Sequence, residues 1–485
     1  MHDYTSDIIG LADPDCEVFK VETEGNIKQV HIRSRKQAAY CSCCGRRMRS
    51  KGWHVRQVNH QILNGWLKSV LIVHQRKWHC PACGIYVYDS FSFIEKKKQT
   101  TTLMPYIILN ELKDLNVTVR QVARRLNVSD TYVHETFTKY VSLERFPLSD
   151  AISIDEVYLH FDNYDNYALV IMDFRTQEII DILPNRKQET TEYYFKHVLP
   201  KEERDKVKYL ICDMYDPYIS YIGKYFVNAK YVVDSFHVVS NIIRRLRYYI
   251  NDVKRKYKAI NEQKLNEENY KNNRDWKTKK DSRELYVLKH FDWALLQNKD
   301  DISYTWDRKY FRFLDQYLDT YDCEKLFLDL DPNFRQLRDL KERYIRFNRD
   351  HQGDPKSAEE DLNEIIKLYG SSKFSMFREF AELLKTYKEG ILVSFTYITV
   401  KVRASKDKIL MRLSNGPMES FNNKPKDYKR NSNGISNFDF TRNRILWSLR
   451  DDAKPCYMQV EIHQKLLREF TNSCREAYRL IFLFD

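Results

Sequence analysis

Three apolar runs, AISIDEVYLHF (151–161), NYALVIMDF (166–174) and EIIDILPNR (178–186), follow one another with short gaps, and VKYLICDMY (207–215) and KYVVDSF (230–236) come after longer ones. The first three are too short and too closely spaced for helices and read as consecutive strands of an antiparallel meander. Helical spacing fills the later gaps, around Thr190–His197 and Tyr218–Phe226, and HVVSNIIRRLRYYI (237–250) continues the last strand as a helix. Three strands followed by a β-α-β-α succession predict a mixed α/β sheet flanked by helices. In such an order the first and fourth strands can lie side by side. Asp155, inside the first, and Asp213, at the end of the fourth, would then meet at one end of the sheet. Two carboxylates joined by a third make a site for two divalent ions about 4 Å apart, the arrangement that phosphodiester cleavage uses. Hard oxygen ligands that leave room for water and phosphate suit Mg²⁺, with Mn²⁺ as an alternative. Asp173, Asp216 and Asp234 are residues of the same type, and spacing does not choose among them.

Upstream, residues 101–145 carry helical periodicity. In TVRQVARRLNVSDTYVH (118–134) Val119, Val122, Ala123 and Leu126 share one face, Asn127-Val128 makes a turn, and Ser129 or Asp130 caps a second helix. This predicts a helix-turn-helix, with Arg120 on the first helix and Tyr132, His134 and Lys139 on the second available to a DNA groove. Further upstream, EVFKVETE (17–24), KQVHIRSR (28–35) and SVLIVHQRKWHC (69–80) read as short strands. Among them stand Cys41-Ser42-Cys43-Cys44-Gly45 and Cys80-Pro81-Ala82-Cys83-Gly84. Each is a zinc-knuckle pattern, in which a tight turn brings two thiolates to one metal and the glycine relieves the bend. Cys41, Cys44, Cys80 and Cys83 would form a closed, structural Zn²⁺ site; Cys43 rivals Cys44 but breaks the two-residue gap, and His79 is a possible substitute ligand.

Residues 251–400 are rich in Lys, Glu, Asn, Tyr and Leu, without strand alternation, and stretches such as AEEDLNEIIKLYG (358–370) have helix spacing. They read as an α-helical insertion, with 262–283 a loop or solvated helix. The 485-residue chain carries a net charge of +13, concentrated in two islands: residues 41–100 have a surplus of nine positive charges and residues 401–450 a surplus of eight. Two basic islands, each beside a chemical motif, point to two surfaces facing nucleic acid. Ten cysteines, four of them in the knuckle pairs, favour metal over disulfides. No apolar run approaches the roughly 18 residues of a membrane span, and the acidic start lacks the order of a signal peptide. The expected location is cytoplasmic, at the nucleoid.

These motifs, in this order, resemble insertion-sequence transposases of the ISL-three family: a Cys-x-x-Cys pair, a helix-turn-helix, then Ile154-Asp155-Glu156. Cys212-Asp213-Met214 with Pro217-Tyr218, and Val233-Asp234-Ser235-Phe236-His237-Val238, continue the pattern. The most specific part is Ser414-Asn415-Gly416-Pro417-Met418-Glu419-Ser420-Phe421-Asn422-Asn423-Lys424, followed by Gly434, Asn437-Phe438 and Arg444-Ile445-Leu446. The family consists of DDE transposases whose ribonuclease-H-like core is often interrupted by a helical insertion before the last Glu. The resemblance implies that Asp155, Asp213 and Glu419 hold two Mg²⁺ ions. Glu419 would stand near a helix N-terminus, since Pro417 is tolerated in a first turn. Lys424, Lys426, Lys429 and Arg430 would hold the phosphate backbone beyond it. Asp234 and His237 would support the site or position DNA, or Asp234 would merely cap the strand-to-helix turn. One departure is Pro425, which stands where the family has a helix-compatible residue and is expected to end or kink the helix about two turns after Glu419.

The resulting organisation is a zinc-binding domain (1–98), a helix-turn-helix domain (99–148), a first part of the catalytic core (149–250), the insertion (251–405) and a second core part carrying Glu419 (406–485). The expected function is to bind the terminal inverted repeats of a mobile element, cut double-stranded DNA at their ends and join the freed 3′-hydroxyl to target DNA, acting as a homodimer or larger assembly. A non-catalytic DNA-binding regulator of transposase descent and a nuclease that cuts without joining are the alternatives.

Overall fold

The computed structural model describes residues 13–60, 68–95, 98–161, 165–271, 281–351, 353–402, 407–432 and 437–455. Gly434, quoted above, lies outside them. The chain forms two compact units, one of residues 1–145, 159–166 and 423–485, the other of residues 146–158 and 167–422.

The first unit opens with β1 (Cys16–Glu24), β2 (Ile27–Ser34), β3 (Arg49–Asn59), β4 (Lys68–His79) and β5 (Tyr86–Tyr88). They form one sheet of order β1-β2-β4-β3 with β5 beside β4. Its apolar side buries Val30, Ile32, Val58, Leu71 and Val73 against Phe91, Phe93 and Ile94. Helices α1 (Met104–Glu111), α2 (Val119–Leu126) and α3 (Asp130–Tyr140) follow. Thr118 and Gln121 cap α2 reciprocally, Asn127 ends it in the left-handed region (φ 54°), and Ser129 accepts the Tyr132 N–H to start α3. The short polar residues between two apolar faces therefore dictate a sharp turn between helices. Ile108, Leu112, Val122, Val133 and Phe137 share a core with Trp447 of the C-terminal helix α13 (Phe438–Leu449), numbered here in chain order. Arg444 of that helix is fully buried and donates to the carbonyls of Leu112, Asp114 and Val117, at the end of α1 and in the turn that follows. Burial pulls its pKa down to about 10. It is a structural cation, not a free phosphate ligand.

In the second unit β6 (Ala151–Tyr158), β7 (Tyr167–Asp173), β8 (Glu178–Leu183), β9 (Tyr209–Cys212) and β10 (Lys230–Val233) form a sheet of order β10-β9-β6-β7-β8. The meander β6-β7-β8 is antiparallel, whereas β9 runs parallel to β6 and β10 parallel to β9. Side chains alternate between two layers as the pleat requires. Ile152, Ile154, Leu210 and Cys212 pack with Phe195, Tyr218 and Tyr221, the last two from α4 (Asp216–Tyr225). Ala151, Ile211 and Val232 pack with Ile398 and Val400 of the hairpin β13 (Tyr397–Lys401) and β14 (Lys408–Arg412).

Helix α5 (Ser235–Lys271) starts directly after β10 and runs for 37 residues, so the helix read from sequence as closing at Ile250 continues well beyond it. Its polar distal half offers no apolar stripe to read; pairs such as Arg255–Asp252 line it instead. The segment expected to be helical contains α6 (Arg283–His290), α7 (Thr320–Leu328), α8 (Phe334–Asp350), α9 (Pro355–Gly370), α10 (Ser375–Thr386) and α11 (Lys388–Val393), and also a small hairpin of β11 (Lys309–Phe311) and β12 (Gln316–Leu318). Leu246, Ile250, Phe334, Leu337, Tyr344, Phe377 and Phe380 are part of its core.

Helix α12 (Gly416–Asn431) carries Glu419 and passes through Pro425 without ending. Of the expectation that Pro425 would end or kink the helix, the ending is corrected: proline forfeits one N–H bond, but the buried ring of Pro425 sits in a helix long enough to keep the remaining ones.

Gly390 marks the closest approach of α11 to β10. A Cβ there would lie 2.1 Å from the Tyr231 ring and 2.8 Å from Val233 Cγ2, in space with no free volume. Gly390→Ala should therefore destabilise the second unit by about 3 kcal/mol despite its gain in helix propensity. Urea denaturation checks this; a midpoint equal to that of the unmodified chain would contradict it.

Candidate metal centre

The parallel strands set the site. Ser153 pairs with Ile211, and Cys212 with Val233. Carrying these registers on by two residues and one residue brings Asp155, inside β6, level with Asp213 and Asp234, which stand just past the C-terminal ends of β9 and β10. Crevices at the carboxyl ends of parallel strands are where open α/β sheets place their ligands.

Each aspartate has a distinct environment. Asp155 accepts the Glu156 N–H (2.7 Å) on Oδ1 and the Asn422 side-chain amide (2.8 Å) on Oδ2. Burial first, and then the Asp213 charge, push its pKa up to about 7. Asp234, 1% exposed, accepts the Asn415 N–H (3.0 Å) on Oδ1, and burial raises its pKa. His237, in the first turn of α5, places Nε2 2.7 Å from Asp213 Oδ1 and 4.0 Å from Asp234 Oδ2. Burial alone would lower its pKa, but Asp213, then Asp234 and Asp155, more than reverse this, so the imidazolium is favoured.

Glu419 enters from α12. One carboxylate oxygen of Glu419, one of Asp234 and a ring nitrogen of His237 all lie within 4.8 Å of one another, a spacing that could hold a metal ion. Asn415, four residues before Glu419, and Asn422, three after it, dock the start of this helix onto Asp234 and Asp155 respectively. A residue three positions on lies on the same helix face, so one face presents both Glu419 and Asn422 to the strand ends. Sequence reasoning did not assign these two asparagines a role. The same-face spacing to Glu419 is the signal that points to Asn422.

Buried Asp234 Oδ2 accepts no hydrogen bond, with His237 Nε2 4.0 Å away, whereas Asp213 Oδ1 has the His237 ring nitrogen at 2.7 Å as its partner. A buried carboxylate oxygen left without a hydrogen bond, as Asp234 Oδ2 is, is costly in a protein, and a hard divalent cation is a partner it fits. The neighbouring acids are spent otherwise. Glu156 pairs with Arg186 (2.7 Å) and accepts the Tyr218 hydroxyl. Asp173 accepts Ser149 Oγ and the Arg175 N–H in the β7–β8 turn, and Asp216 accepts the Tyr387 hydroxyl. Of the three rivals left open by spacing, Asp234 joins the cluster and the other two serve turns and contacts.

A metal-free cluster of this kind should titrate visibly. An acid whose folded pKa lies above its unfolded value binds more protons when folded, so the protein loses stability as pH rises from about 4 through about 7. Asp155→Asn should raise the thermal midpoint in EDTA at about pH 8, by on the order of 2 kcal/mol of stability, and change it little at about pH 4. A variant less stable than the parent at the higher pH, in thermal melts, would refute this.

In the first unit, the sulfurs of Cys41, Cys44, Cys80 and Cys83 also lie within 4.8 Å of one another. Both knuckles fold alike: Gly45 and Gly84, each at φ 70°, donate back to Cys41 and Cys80 at 2.9 Å. Only glycine adopts that conformation without strain. Cys44 and Cys80 are 3.6 Å apart, close to the roughly 3.8 Å edge of a tetrahedron with Zn–S bonds of about 2.3 Å. The Cys83 backbone N–H is the main cause of a Cys80 pKa lowered to about 7, while the Cys44 thiol pushes that of Cys83 up. Cys43 is exposed and outside the set, and His79 packs on the Tyr86 ring instead of joining it.

The residues expected to meet DNA are placed unevenly. Arg120 is exposed on α2, and Lys139, exposed at the end of α3, lies over the Tyr140 ring. Tyr132 bonds through its hydroxyl to Thr100, and His134 stacks on Phe440 at 4.2 Å, so both are partly spent on packing. On α12, Lys424, Lys426 and Arg430 are exposed, Arg430 pairing with Asp427, and Lys429 is half-buried.

Sheet order, the acids of the parallel strands and the Glu-bearing helix together define an α/β protein with an acidic cluster that could hold a metal ion. A family described as transposase, of the ISL-three (ISL3) type within the DDE group, matches residues 152–445, and the chain belongs to it. It is also similar to a transposase for insertion sequence element IS1001 from Bordetella parapertussis, 23% identical over 377 residues, 76% of this chain and 82% of that protein. Among the described residues no helix is long and apolar enough to cross a membrane.

Proposed function

We propose that this transposase binds the terminal inverted repeats of an insertion sequence and, with Mg²⁺, cleaves a strand at each end and transfers it to target DNA. The observation that carries the reading is the level shared by Asp155, inside β6, with Asp213 and Asp234, just past β9 and β10, with Glu419 brought to Asp234 and His237 by α12. The strand order, a meander followed by two strands parallel to its first, fits a ribonuclease-H-like core, interrupted by the helical body before Glu419.

In this reading Asp155, Asp213 and Glu419 hold the ions, Mn²⁺ being able to replace Mg²⁺. Bound there, the metal supplies Lewis-acid stabilisation of charge at phosphorus and makes a water or 3′-hydroxyl more nucleophilic. The protein's own part is positional. Asn422 fixes the Asp155 carboxylate, and Asp234 anchors the loop that starts α12 and so aims Glu419. His237 balances the negative charge of Asp213 and Asp234. Hydrolysis and strand transfer are both in-line displacements at phosphorus, so one centre serves both.

The four-cysteine cluster holds structural Zn²⁺, and α2-turn-α3 acts as a DNA-binding helix-turn-helix. Arg120 and Lys139 reach the duplex, while Tyr132 and His134 contribute at their edges. Lys424, Lys426, Lys429 and Arg430 hold the phosphate backbone. Two element ends must be paired, so the acting form is a homodimer or larger, working at the nucleoid in the cytoplasm. The domain limits given in the sequence analysis belong to this proposal.

The test is to incubate the protein and Mg²⁺ with a duplex carrying the inverted repeat that brackets its own coding DNA, plus a target plasmid. Cuts at the repeat end and joined products are expected. Binding without cutting would favour the regulator, and cutting without joining would favour the nuclease.

A further inference from the structure

Beyond the acidic cluster, α5 carries His237, Asn241 and Arg244 at spacings of four and three residues, which places them on one helix face. This face borders a cleft of about 420 Å³ whose lining also includes Asp213, Arg186 and Tyr215. Two arginines thus share a cleft with the candidate metal centre, and they are not equivalent. Arg186 is committed to Glu156 (2.7 Å) and lies over the Tyr167 ring (4.8 Å). Next to Arg244, Arg245 is committed to Asn241 (2.8 Å) and Glu379 (2.6 Å). Arg244 is exposed and makes no ion pair among the described residues.

Seven residues separate His237 from Arg244, about 10 Å along the helix axis. Helical side chains lean toward the N-terminus, so the guanidinium is directed back toward the acids rather than away from them. A long cation about two helical turns beyond an acidic cluster that could hold a metal suits a second anion attached to the first. In a nucleic-acid strand, where phosphates follow every 3.4 Å or so of rise, that anion is a neighbouring backbone phosphate. An acidic cluster repels the rest of the strand, and a planar guanidinium can grip one phosphate through two parallel bonds.

Resting on the transposase reading above, we propose that Arg244 is a phosphate clamp for the DNA strand being cut, binding a backbone phosphate one or two nucleotides from the scissile one. It acts on the same strand as the metal centre and is distinct from the basic residues of α12. Its contribution is to hold the strand in line for attack, a positional effect.

The experiment uses the full chain, Mg²⁺ and the inverted-repeat duplex, with single uncharged methylphosphonate linkages placed in turn at the first and second positions on either side of the cut. One such linkage should slow cleavage by the unmodified protein on the order of 10-fold to 100-fold. Arg244→Ala should show the same loss on normal DNA and be indifferent to that linkage, while Arg244→Lys restores part of the rate. Arg247→Ala, an exposed change on the same helix, should keep the full sensitivity to the linkage. If Arg244→Ala remains as sensitive as the unmodified protein at every position, the clamp is excluded and the transposase reading stands. If the unmodified protein cuts no inverted-repeat DNA at all, both readings fail together.

Discussion

Asp213→Ala should abolish Mg²⁺-dependent cleavage, by roughly 10³-fold or more, while binding to the inverted repeat is retained. On the proposed assignment, losing one of three oxygen donors would remove several kcal/mol of charge stabilisation at phosphorus, and each 1.4 kcal/mol or so is tenfold in rate. Asp213 closes β9 in the second unit, whereas the helices expected to grip DNA belong to the first. Without metal, the variant also presents one charge fewer to the phosphates, so binding in EDTA should stay level or tighten. Asp216→Ala is the matched control: three residues on, it loses a contact to the Tyr387 hydroxyl and leaves the cluster intact. Gel-shift and cleavage assays on the two variants decide the matter. Cleavage by Asp213→Ala at the unmodified rate would remove Asp213 from the metal site.

A comparably large effect is expected from Cys80→Ser. Cys80 is fully buried at the end of β4, beside Trp78 and Met48, and is the thiol most disposed to ionise. Binding of structural zinc is worth on the order of 10 kcal/mol or more and is spent on folding the segment that supplies the ligands. The variant should therefore purify without zinc and lose the folded β3–β5 region, seen as protease sensitivity near the knuckles. Cys43→Ser should retain the metal, because that exposed thiol lies outside the cluster. Zinc content measured by atomic emission separates the two. A Cys80→Ser protein that keeps both zinc and its protease resistance would show that the four sulfurs are not a metal site.

Much of this was legible in the sequence because the chemistry is local. The five core strands appear as apolar runs since each is buried on both faces, and α2 and α3 are announced by their own caps, Thr118 and Ser129. The knuckles are read from four cysteines and two glycines. Other features lie in tertiary contact alone. β3 went unread because seven of its eleven residues, from Arg49 to Val55, are exposed and the strand has no apolar alternation to show there. The distal half of α5 is a helix without an apolar stripe. Arg444 belongs to a quoted motif, yet its task of satisfying three carbonyls from residues 112–117 depends on a contact spanning more than three hundred positions. The choice among strand-end aspartates was open for the same reason. Only the registers show that Asp234 shares a level with Asp155 and Asp213, while Asp173 closes a turn.

The hydrogen bond from Asn422 to Asp155 joins residues 267 positions apart. Linking the ends of so long a stretch costs little more entropy than linking shorter ones, since the penalty grows only with the logarithm of length, so a helical body can be accommodated between the second and last acids. Its price is temporal. On the ribosome Asp155 and Asp213 emerge long before Glu419, and at about 5–20 residues per second the nascent chain spends many seconds without that glutamate. On the proposed function, a chain interrupted anywhere in that interval would lack Glu419 and with it the ability to cut.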